Sequence, residues 1–177
     1  MGWEVEIKGR VKDPAEMVKK LHDTSEFLGP LHKEDLYFCD PDGTRSRFRI
    51  RREGQESRVT IKSKKLHFGG EINREIEFSV GSAEKFEEFA LMLGCRRDYA
   101  KVKKGYRFVR GGAVIELCEV EPLGWFLEIE KIIAVGDEKA LISAQAEVRE
   151  LLFFFGLTPG DVEPRFYSDL MAEAEEA

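Results

Sequence analysis

The sequence is poor in cysteine and histidine and has no long apolar run. Cys39, Cys95 and Cys118 are odd in number and scattered, with no C-x-x-C spacing. This argues against a disulfide framework and a thiolate zinc site, and a reducing, cytoplasmic location is expected. His22, His32 and His67 stand apart, and each reads as a surface or locally hydrogen-bonded side chain. H-E-x-x-H, G-x-S-x-G and a Walker-type loop are all missing. The longest strongly apolar run, Leu151 to Phe155, falls far short of the ~20 residues that cross a bilayer, so no membrane partner is expected. Charge arrives as early as Glu4, which argues against a signal peptide. A basic excess is missing too. Lys and Arg number 28 against 34 Asp and Glu, a net charge of −6, which argues against a broad nucleic-acid surface.

Charge itself is abundant, at 35% of 177 residues, beside 42% hydrophobic residues. That is enough for a packed core, and the length predicts a single domain over 1–177. The charges fall in alternation with apolar residues. In Glu4-Val5-Glu6-Ile7-Lys8 the period of two puts Glu4, Glu6 and Lys8 on one face of a strand, with Val5 and Ile7 on the other. Two carboxylates about 6–7 Å apart repel by about 2–3 kcal/mol at an effective dielectric near 20. A divalent cation between them reverses the sign of that interaction.

The pattern continues along the chain. Asp13-Pro14-Ala15-Glu16 starts a helix whose apolar side takes Met17, Val18, Leu21 and Leu28, and Gly29-Pro30 ends that region. Strands are predicted near Asp35–Cys39, Arg47–Arg52, Arg58–Lys64 and Asn73–Val80. A second helix runs from the N-cap Ser82 to Gly94. Three more strands follow, near Lys101–Phe108, Ala113–Cys118 and around Leu127–Glu130. A third helix runs from the N-cap Asp137 to Gly156, and a short segment from Pro164 to Met171 precedes a Glu-rich end expected to fray. Gly69-Gly70 reads as a turn or hinge. The order strand, helix, three strands occurs twice, and each unit opens with Glu-x-Glu, a repeat of architecture.

The charged faces carry eleven cations and eight acids, and the signs sort by strand. Cations concentrate on the third, fourth and sixth strands, acids on the first, fifth and eighth. Such sorting suits a metal–polyphosphate site, because Arg and Lys neutralise phosphate oxygens and carboxylates hold hard divalent ions.

The ordered motifs resemble those of the CYTH superfamily, the triphosphate tunnel metalloenzymes. Glu4-x-Glu6-x-Lys8 is similar to the family's ExExK signature. Asp35-Leu36-Tyr37-Phe38 resembles its second strand, and Phe48-Arg49-Ile50-Arg51-Arg52-Glu53 its L-R-I-R-x-E strand. Thr60-Ile61-Lys62 resembles T-x-K, Arg74-Glu75-Ile76-Glu77 resembles R-E-x-E, and Lys101-Val102-Lys103-Lys104 sits where a basic strand is expected. Leu123-Gly124-Trp125-Phe126-Leu127-Glu128-Ile129-Glu130 is close to L-G-x-F-x-E-I-E, and Arg165-Phe166-Tyr167-Ser168-Asp169-Leu170 resembles the tail of the cyclase-like members. Three positions depart from the pattern: Cys118 replaces the usual Asp, Lys103 an Arg, and Phe166 a common Ser.

The resemblance implies an α+β fold, a closed eight-stranded antiparallel β-barrel forming a tunnel with helices packed outside and a pseudo-twofold βαβββ repeat. It implies Mg²⁺ or Mn²⁺ held by Glu4, Glu6, Glu128 and Glu130, with Glu75 and Glu77 assisting. Lys8, Arg49, Arg51, Lys62, Lys101 and Lys103 are the implied phosphate ligands. Lys8 and Glu6 are the implied catalytic groups, and Tyr37, Arg165 and Tyr167 shape the tunnel mouth. The activity expected first is that of a class IV adenylyl cyclase, ATP to cyclic AMP and pyrophosphate. The alternatives are a triphosphatase acting on inorganic, thiamine or nucleoside triphosphate, and an inactive polyphosphate- or nucleotide-binding module. The expected partner is a triphosphate-containing small molecule, and the expected state a monomer or homodimer.

Overall fold

The protein is described by a computed structural model over residues 3–43, 46–67, 70–134 and 138–176; the side chains of residues 46, 47, 64–67 and 176 lie outside that description. Gly69 and Asp137, read from the sequence as part of a turn or hinge and as an N-cap, fall outside it as well.

The elements follow in the order β1 (Trp3–Arg10), α1 (Pro14–Thr24), β2 (Glu26–Cys39), β3 (Ser46–Glu53), β4 (Glu56–His67), β5 (Gly70–Ser79), α2 (Ala83–Met92), β6 (Arg96–Arg110), β7 (Ala113–Val120), β8 (Gly124–Ile133), α3 (Glu138–Phe154) and α4 (Tyr167–Glu176). The eight strands close in the order β1-β5-β4-β3-β2-β6-β7-β8, every neighbouring pair antiparallel. Closure leaves no sheet edge to template aggregation. It also sorts every alternating strand into a row facing the lumen and a row facing out.

The outward rows of β1, β7 and β8 form the main core. Val5, Ile7, Ile115, Leu117, Leu127 and Ile129 pack with Met17 and Leu21 of α1 and with Ala144, Val148 and Leu152 of α3. Fully burying such a side chain contributes about 1.5–3 kcal/mol. The helix starts follow from the sequence. Asp13 caps α1, accepting from the Glu16 amide at 3.0 Å, and Ser82 caps α2, accepting from Lys85 at 3.2 Å. A second apolar cluster, Phe38, Ile50, Val59, Ala83 and Ala90, lies under α2.

Three sequence expectations change. β2 begins at Glu26, so Gly29-Pro30 does not end a helical region but lies within a strand, and Leu28 belongs to β2, half exposed, instead of to the apolar side of α1. The stretch from Glu26 to Lys33 pairs with β6 alone, since pairing with β3 starts at Glu34. A proline costs no ladder bond on such an unpaired side, and the register shift between Phe27 and Gly29 absorbs the glycine. β6 likewise starts five residues early, at Arg96. The Glu-rich end does not fray. It forms α4, because Tyr167 and Leu170 are buried against Leu31, Cys118, Val120 and Phe126. Among the described residues no helix is long and apolar enough to cross a membrane.

Candidate functional site

Barrel closure turns the sign-sorted strands into two walls. β8, β1 and β5 are consecutive around the barrel and carry Glu128, Glu130, Glu4, Glu6, Glu75 and Glu77. β4, β3, β2 and β6 are consecutive as well and carry Arg58, Lys62, Arg49, Arg51, Lys101 and Lys103. All twelve of these residues, with Tyr37 and Tyr167, line one lumen cavity of about 290 Å³. It shares Lys33, Arg51, Arg58, Glu116 and Glu130 with a wider opening of about 640 Å³, which Glu53, Gln55, Glu56 and Arg107 complete. Tyr167 at the start of α4 reaches the cavity, and with Leu170 it packs on Leu31, Cys118, Val120 and Phe126.

The walls are knitted together by buried ion pairs. Lys62 donates to Glu4 at 2.9 Å and also pairs with Glu75. Lys8 pairs with Glu71 at 3.0 Å, Lys103 with Glu128, and Lys33 with Glu116 at 2.6 Å. Asp35 organises the cationic wall. Its carboxylate is fully buried, accepts two bonds from Arg51 at 2.6 and 2.8 Å, and lies 3.5 Å from Arg49 and 3.7 Å from Lys101. Burial works against the Asp35 carboxylate, but Arg51, Arg49 and Lys101 more than offset it and hold its pKa well below the usual range. In the same way burial opposes the Lys62 ammonium, and Glu4, Glu6 and Glu75 raise its pKa nonetheless. Burial, followed by Lys103 and Arg49, pushes Lys101 down.

Two carboxyls stand outside this pairing. Glu6 and Glu130 have no ion pair among the described residues. Burial, then Glu71 and Glu128, push Glu6 up to about 7. Burial, then Glu4 and Glu6, push Glu130 up to about 8. The acid wall therefore holds more carboxyl groups than the lysines pair with, and burial and mutual repulsion favour their neutral form. One buried polar group beside it, the Asn73 carboxamide, lacks a hydrogen-bond partner among the described residues. Such groups cost about 1–3 kcal/mol each when left unsatisfied. These oxygen donors fit a hard divalent cation. In the lysine-paired arrangement no three His, Cys, Asp or Glu side chains among the described residues stand at ligating geometry, because Lys62, Lys8 and Lys103 already engage the carboxylates.

The sequence-expected residues are thus mostly brought together, with exceptions. Tyr167 is not at the mouth. It is buried within the barrel, donating to Glu128 Oε1 at 2.5 Å, with Lys101, Lys103 and Lys8 at 4.3, 5.0 and 5.3 Å from its ring centre. Arg165 does not line the tunnel. Its guanidinium pairs with Glu163 and Glu173 outside the barrel. Glu77 sits at the open rim, accepting from Thr60 at 2.9 Å. Tyr37 lines the cavity with its ring stacked on Tyr99 at 4.2 Å. Cys118 is fully buried, its sulfur 3.9 Å from Glu128. Lys33 and Glu71 were missed because β2 and β5 were begun too late, and Asn73 for a different reason. Extending the alternation two residues back, as Lys33-x-Asp35 and Glu71-x-Asn73, reaches the first two, and Asn73 lay inside the predicted strand without the charge that singled out its neighbours.

A closed eight-stranded barrel with a narrow, ion-paired lumen and helices outside defines the class of the protein. No family model matches the chain. A Methanocaldococcus jannaschii protein, named provisionally as an adenylate cyclase, is 29% identical over 174 residues, covering 94% of this chain and 97% of that one. Among solved structures, the PH1819 protein of Pyrococcus horikoshii is 30% identical, covers 97% of this chain and 99% of its own, and superposes with a TM-score of 0.82. The HpAC1 protein of Hippeastrum, named provisionally as an adenylyl cyclase and described as having a dominant triphosphatase activity, shares the fold at 18% identity, covering 93% and 91%, with a TM-score of 0.58. The chain belongs to the CYTH superfamily.

Proposed function

We propose that the protein is a divalent-metal-dependent enzyme that takes a triphosphate into the barrel lumen, and that its reaction is that of a class IV adenylyl cyclase, ATP to cyclic AMP and pyrophosphate. The observation that carries this reading is the segregation of the lumen into an acidic wall, β8-β1-β5, and a cationic wall, β4-β3-β2-β6. Lys8, Arg49, Arg51, Lys62, Lys101 and Lys103 are the phosphate ligands in this assignment. Mg²⁺ or Mn²⁺ would be held by Glu4, Glu6, Glu128 and Glu130, with Glu75 and Glu77 nearer the rim. Such an ion supplies neutralisation of the phosphate charge that the lysines and arginines leave over.

The chemistry asked of the chain is positioning and charge stabilisation. The ribose 3′-oxygen attacks the α-phosphorus, the bond to the β-phosphate oxygen breaks, and pyrophosphate leaves with the negative charge. Arg49 and Arg51, locked by Asp35, and Lys101 present fixed donors where that charge develops. Two groups on β1 are the candidates to accept the 3′-hydroxyl proton. Glu6, at about 7 without a cation, is a base matched to neutral pH. Lys8, the neighbour on the same face, is the other. The wide opening next to Glu116 and Glu130 has room for the nucleoside. That opening also supports a second reading. With water in place of the ribose hydroxyl, the same clamp makes a triphosphatase.

The test is incubation with ATP, tripolyphosphate or thiamine triphosphate and Mg²⁺ or Mn²⁺, followed by product identification. Cyclic AMP with pyrophosphate supports the cyclase, and orthophosphate supports the hydrolase. Full turnover by a folded Glu4→Gln, Glu6→Gln double variant overturns the ligand assignment. Metal-dependent binding without turnover would make the protein a binding module.

A further inference from the structure

The lumen cavity is lined from the eight strands with one exception among the described residues. Tyr167, the first residue of α4, enters it from outside the sheet. Its reach follows from how the tail is seated on β1. Val162 bridges to Gly9, and the Glu163 amide donates to the Lys8 carbonyl at 3.0 Å. Arg10 donates twice to the Glu163 carboxylate, at 3.0 and 2.9 Å. The tail comes this close because residue 9 is glycine. A Cβ there would run into the Leu157 side chain and stand 3.3 Å from the Asp161 carbonyl oxygen. The strand that carries Glu6 and Lys8 therefore also fixes the approach to α4. The Tyr167 ring then packs edge-on against Phe126 at 5.3 Å and is 7% exposed.

Two sets of contacts set Tyr167 apart from an ordinary core tyrosine. Its hydroxyl donates to Glu128 Oε1 at 2.5 Å, while Lys103 holds Oε2. Its ring is also the common neighbour of three ammoniums, with Lys101, Lys103 and Lys8 at 4.3, 5.0 and 5.3 Å from the ring centre. The other partners of those lysines are carboxylates: Asp35 for Lys101, Glu128 for Lys103 and Glu71 for Lys8. A carboxylate competes with a phosphate for the same N–H donors. An aromatic ring attracts an ammonium through its face and offers no acceptor oxygen there, so it holds the charge in place without having to be displaced.

We propose that Tyr167 is a positioning residue with two separable parts: its hydroxyl orients the Glu128 carboxylate for a divalent ion, and its ring gathers Lys8, Lys101 and Lys103 for the phosphates. This role rests on the lumen being a metal–triphosphate site, as proposed above. When Lys103 turns to a phosphate, Glu128 Oε2 is released, and the bond from Tyr167 keeps the carboxylate from swinging away. Losing such an outer hydrogen bond to a ligating group typically costs about 10–100-fold in metal affinity. Losing the ring removes a desolvated cation–π centre, which corresponds to about 3- to 30-fold in affinity for the anion the lysines bind.

The experiment is calorimetry on the full chain with Mn²⁺ and tripolyphosphate, each titrated alone, for the wild type, Tyr167→Phe and Tyr167→Leu. Circular dichroism and the urea midpoint report folding. Tyr167→Phe keeps the ring and loses the hydroxyl, so Mn²⁺ is expected to bind at least about tenfold more weakly and tripolyphosphate as in the wild type. Tyr167→Leu loses both, so both ligands are expected to weaken. A tyrosine with a purely structural role would move the two affinities together. The split in Tyr167→Phe therefore decides the matter even where Tyr167→Leu fails to fold. A folded Tyr167→Phe with wild-type Mn²⁺ affinity, or one that loses both ligands equally, overturns the proposal. A folded Tyr167→Leu with wild-type tripolyphosphate affinity overturns the part assigned to the ring. A wild type that binds neither Mn²⁺ nor tripolyphosphate, alone or together, is a different result: it overturns the reading of the lumen itself, and the role of Tyr167 falls with it.

Discussion

Glu6 and Glu130 make the metal-free protein's stability depend on pH in an unusual direction. Their ordinary pKa is 4.5, and the fold raises them to about 7 and about 8. Between those limits the folded chain binds more protons than the unfolded chain. Stability therefore falls as pH rises, because the slope of the unfolding free energy follows the unfolded-minus-folded proton count. Their stabilising contribution is fully present below about pH 4.5 and is lost progressively above it, that of Glu6 by about pH 7 and that of Glu130 by about pH 8. At about 1.4 kcal/mol per pKa unit the separate ceilings are about 3 kcal/mol for Glu6 and about 5 kcal/mol for Glu130. The two share their mutual repulsion, so they titrate jointly and the sum is smaller. A net loss of about 3 kcal/mol lowers the melting temperature of a chain this size by roughly 6–12 °C.

The assay is thermal and urea unfolding in EDTA from about pH 5 to pH 9, on the wild type and on Glu6→Gln, Glu130→Gln and the double variant. A glutamine does not titrate, so each replacement should flatten part of the slope and the double variant most of it. Comparing variants at each pH removes the contribution of the other titrating groups, Lys33 and Lys101 included. Added Mn²⁺ should flatten the wild-type slope as well, by binding the ionised form. A wild-type profile that is flat or rising from pH 6 to pH 8.5 refutes the reasoning. So does a double variant that keeps the wild-type slope.

Other consequences concern buried polar groups. Asp35→Asn leaves Arg49, Arg51 and Lys101 without their common anion, and is expected to destabilise the protein by about 3–5 kcal/mol, read as a lower urea midpoint; a loss under about 1 kcal/mol would show that the cationic wall does not depend on it. Asn73→Leu removes a fully buried carboxamide that has no hydrogen-bond partner. It is expected to leave stability unchanged or raise it by about 1–3 kcal/mol in the same measurement, and a marked loss would mean the carboxamide is already satisfied.

Much of the barrel was legible because alternation is a local signal. Glu4-Val5-Glu6-Ile7-Lys8 states its two faces without reference to any other strand, and so does Arg49-Ile50-Arg51. What alternation does not encode is which strands become neighbours. The acidic strands β8, β1 and β5 are widely separated in the chain, and only closure makes them one wall. Alternation also fails where a strand leaves its regular pattern. The Gly29-Pro30 stretch of β2 reads as a break, yet it is strand because one of its sides has no ladder to lose. The position of Tyr167 was out of reach for a different reason. Its tail motif gives the residue type, but burial inside the barrel follows from the apolar seat formed by Leu31, Cys118, Val120 and Phe126, drawn from three strands.

The ion pairs also say how the lumen should respond to its ligands. Each lysine that binds a phosphate must leave a carboxylate: Lys62 leaves Glu4 and Glu75, Lys8 leaves Glu71, Lys103 leaves Glu128. A polyanion entering alone would strand those carboxylates in a buried site, and a cation entering alone would strand the lysines. Breaking one buried pair costs about 3–5 kcal/mol, so either ligand alone is penalised, whereas both together give every displaced charge a new partner. Metal and triphosphate should then bind with positive coupling, and the coupling must be equal in both directions. Calorimetry of Mn²⁺ with and without tripolyphosphate, and of tripolyphosphate with and without Mn²⁺, measures it after correction for the complex the two form in solution. A coupling of at least 1–2 kcal/mol, or roughly tenfold in affinity, is expected. Lys62→Met removes the lysine shared by Glu4 and Glu75, so the acid wall is left open, and Mn²⁺ alone should bind more tightly while the coupling shrinks. Independent binding of the two ligands to the wild type, or a Lys62→Met protein with unchanged Mn²⁺ affinity, would show that the lumen pairs are not what the ligands displace.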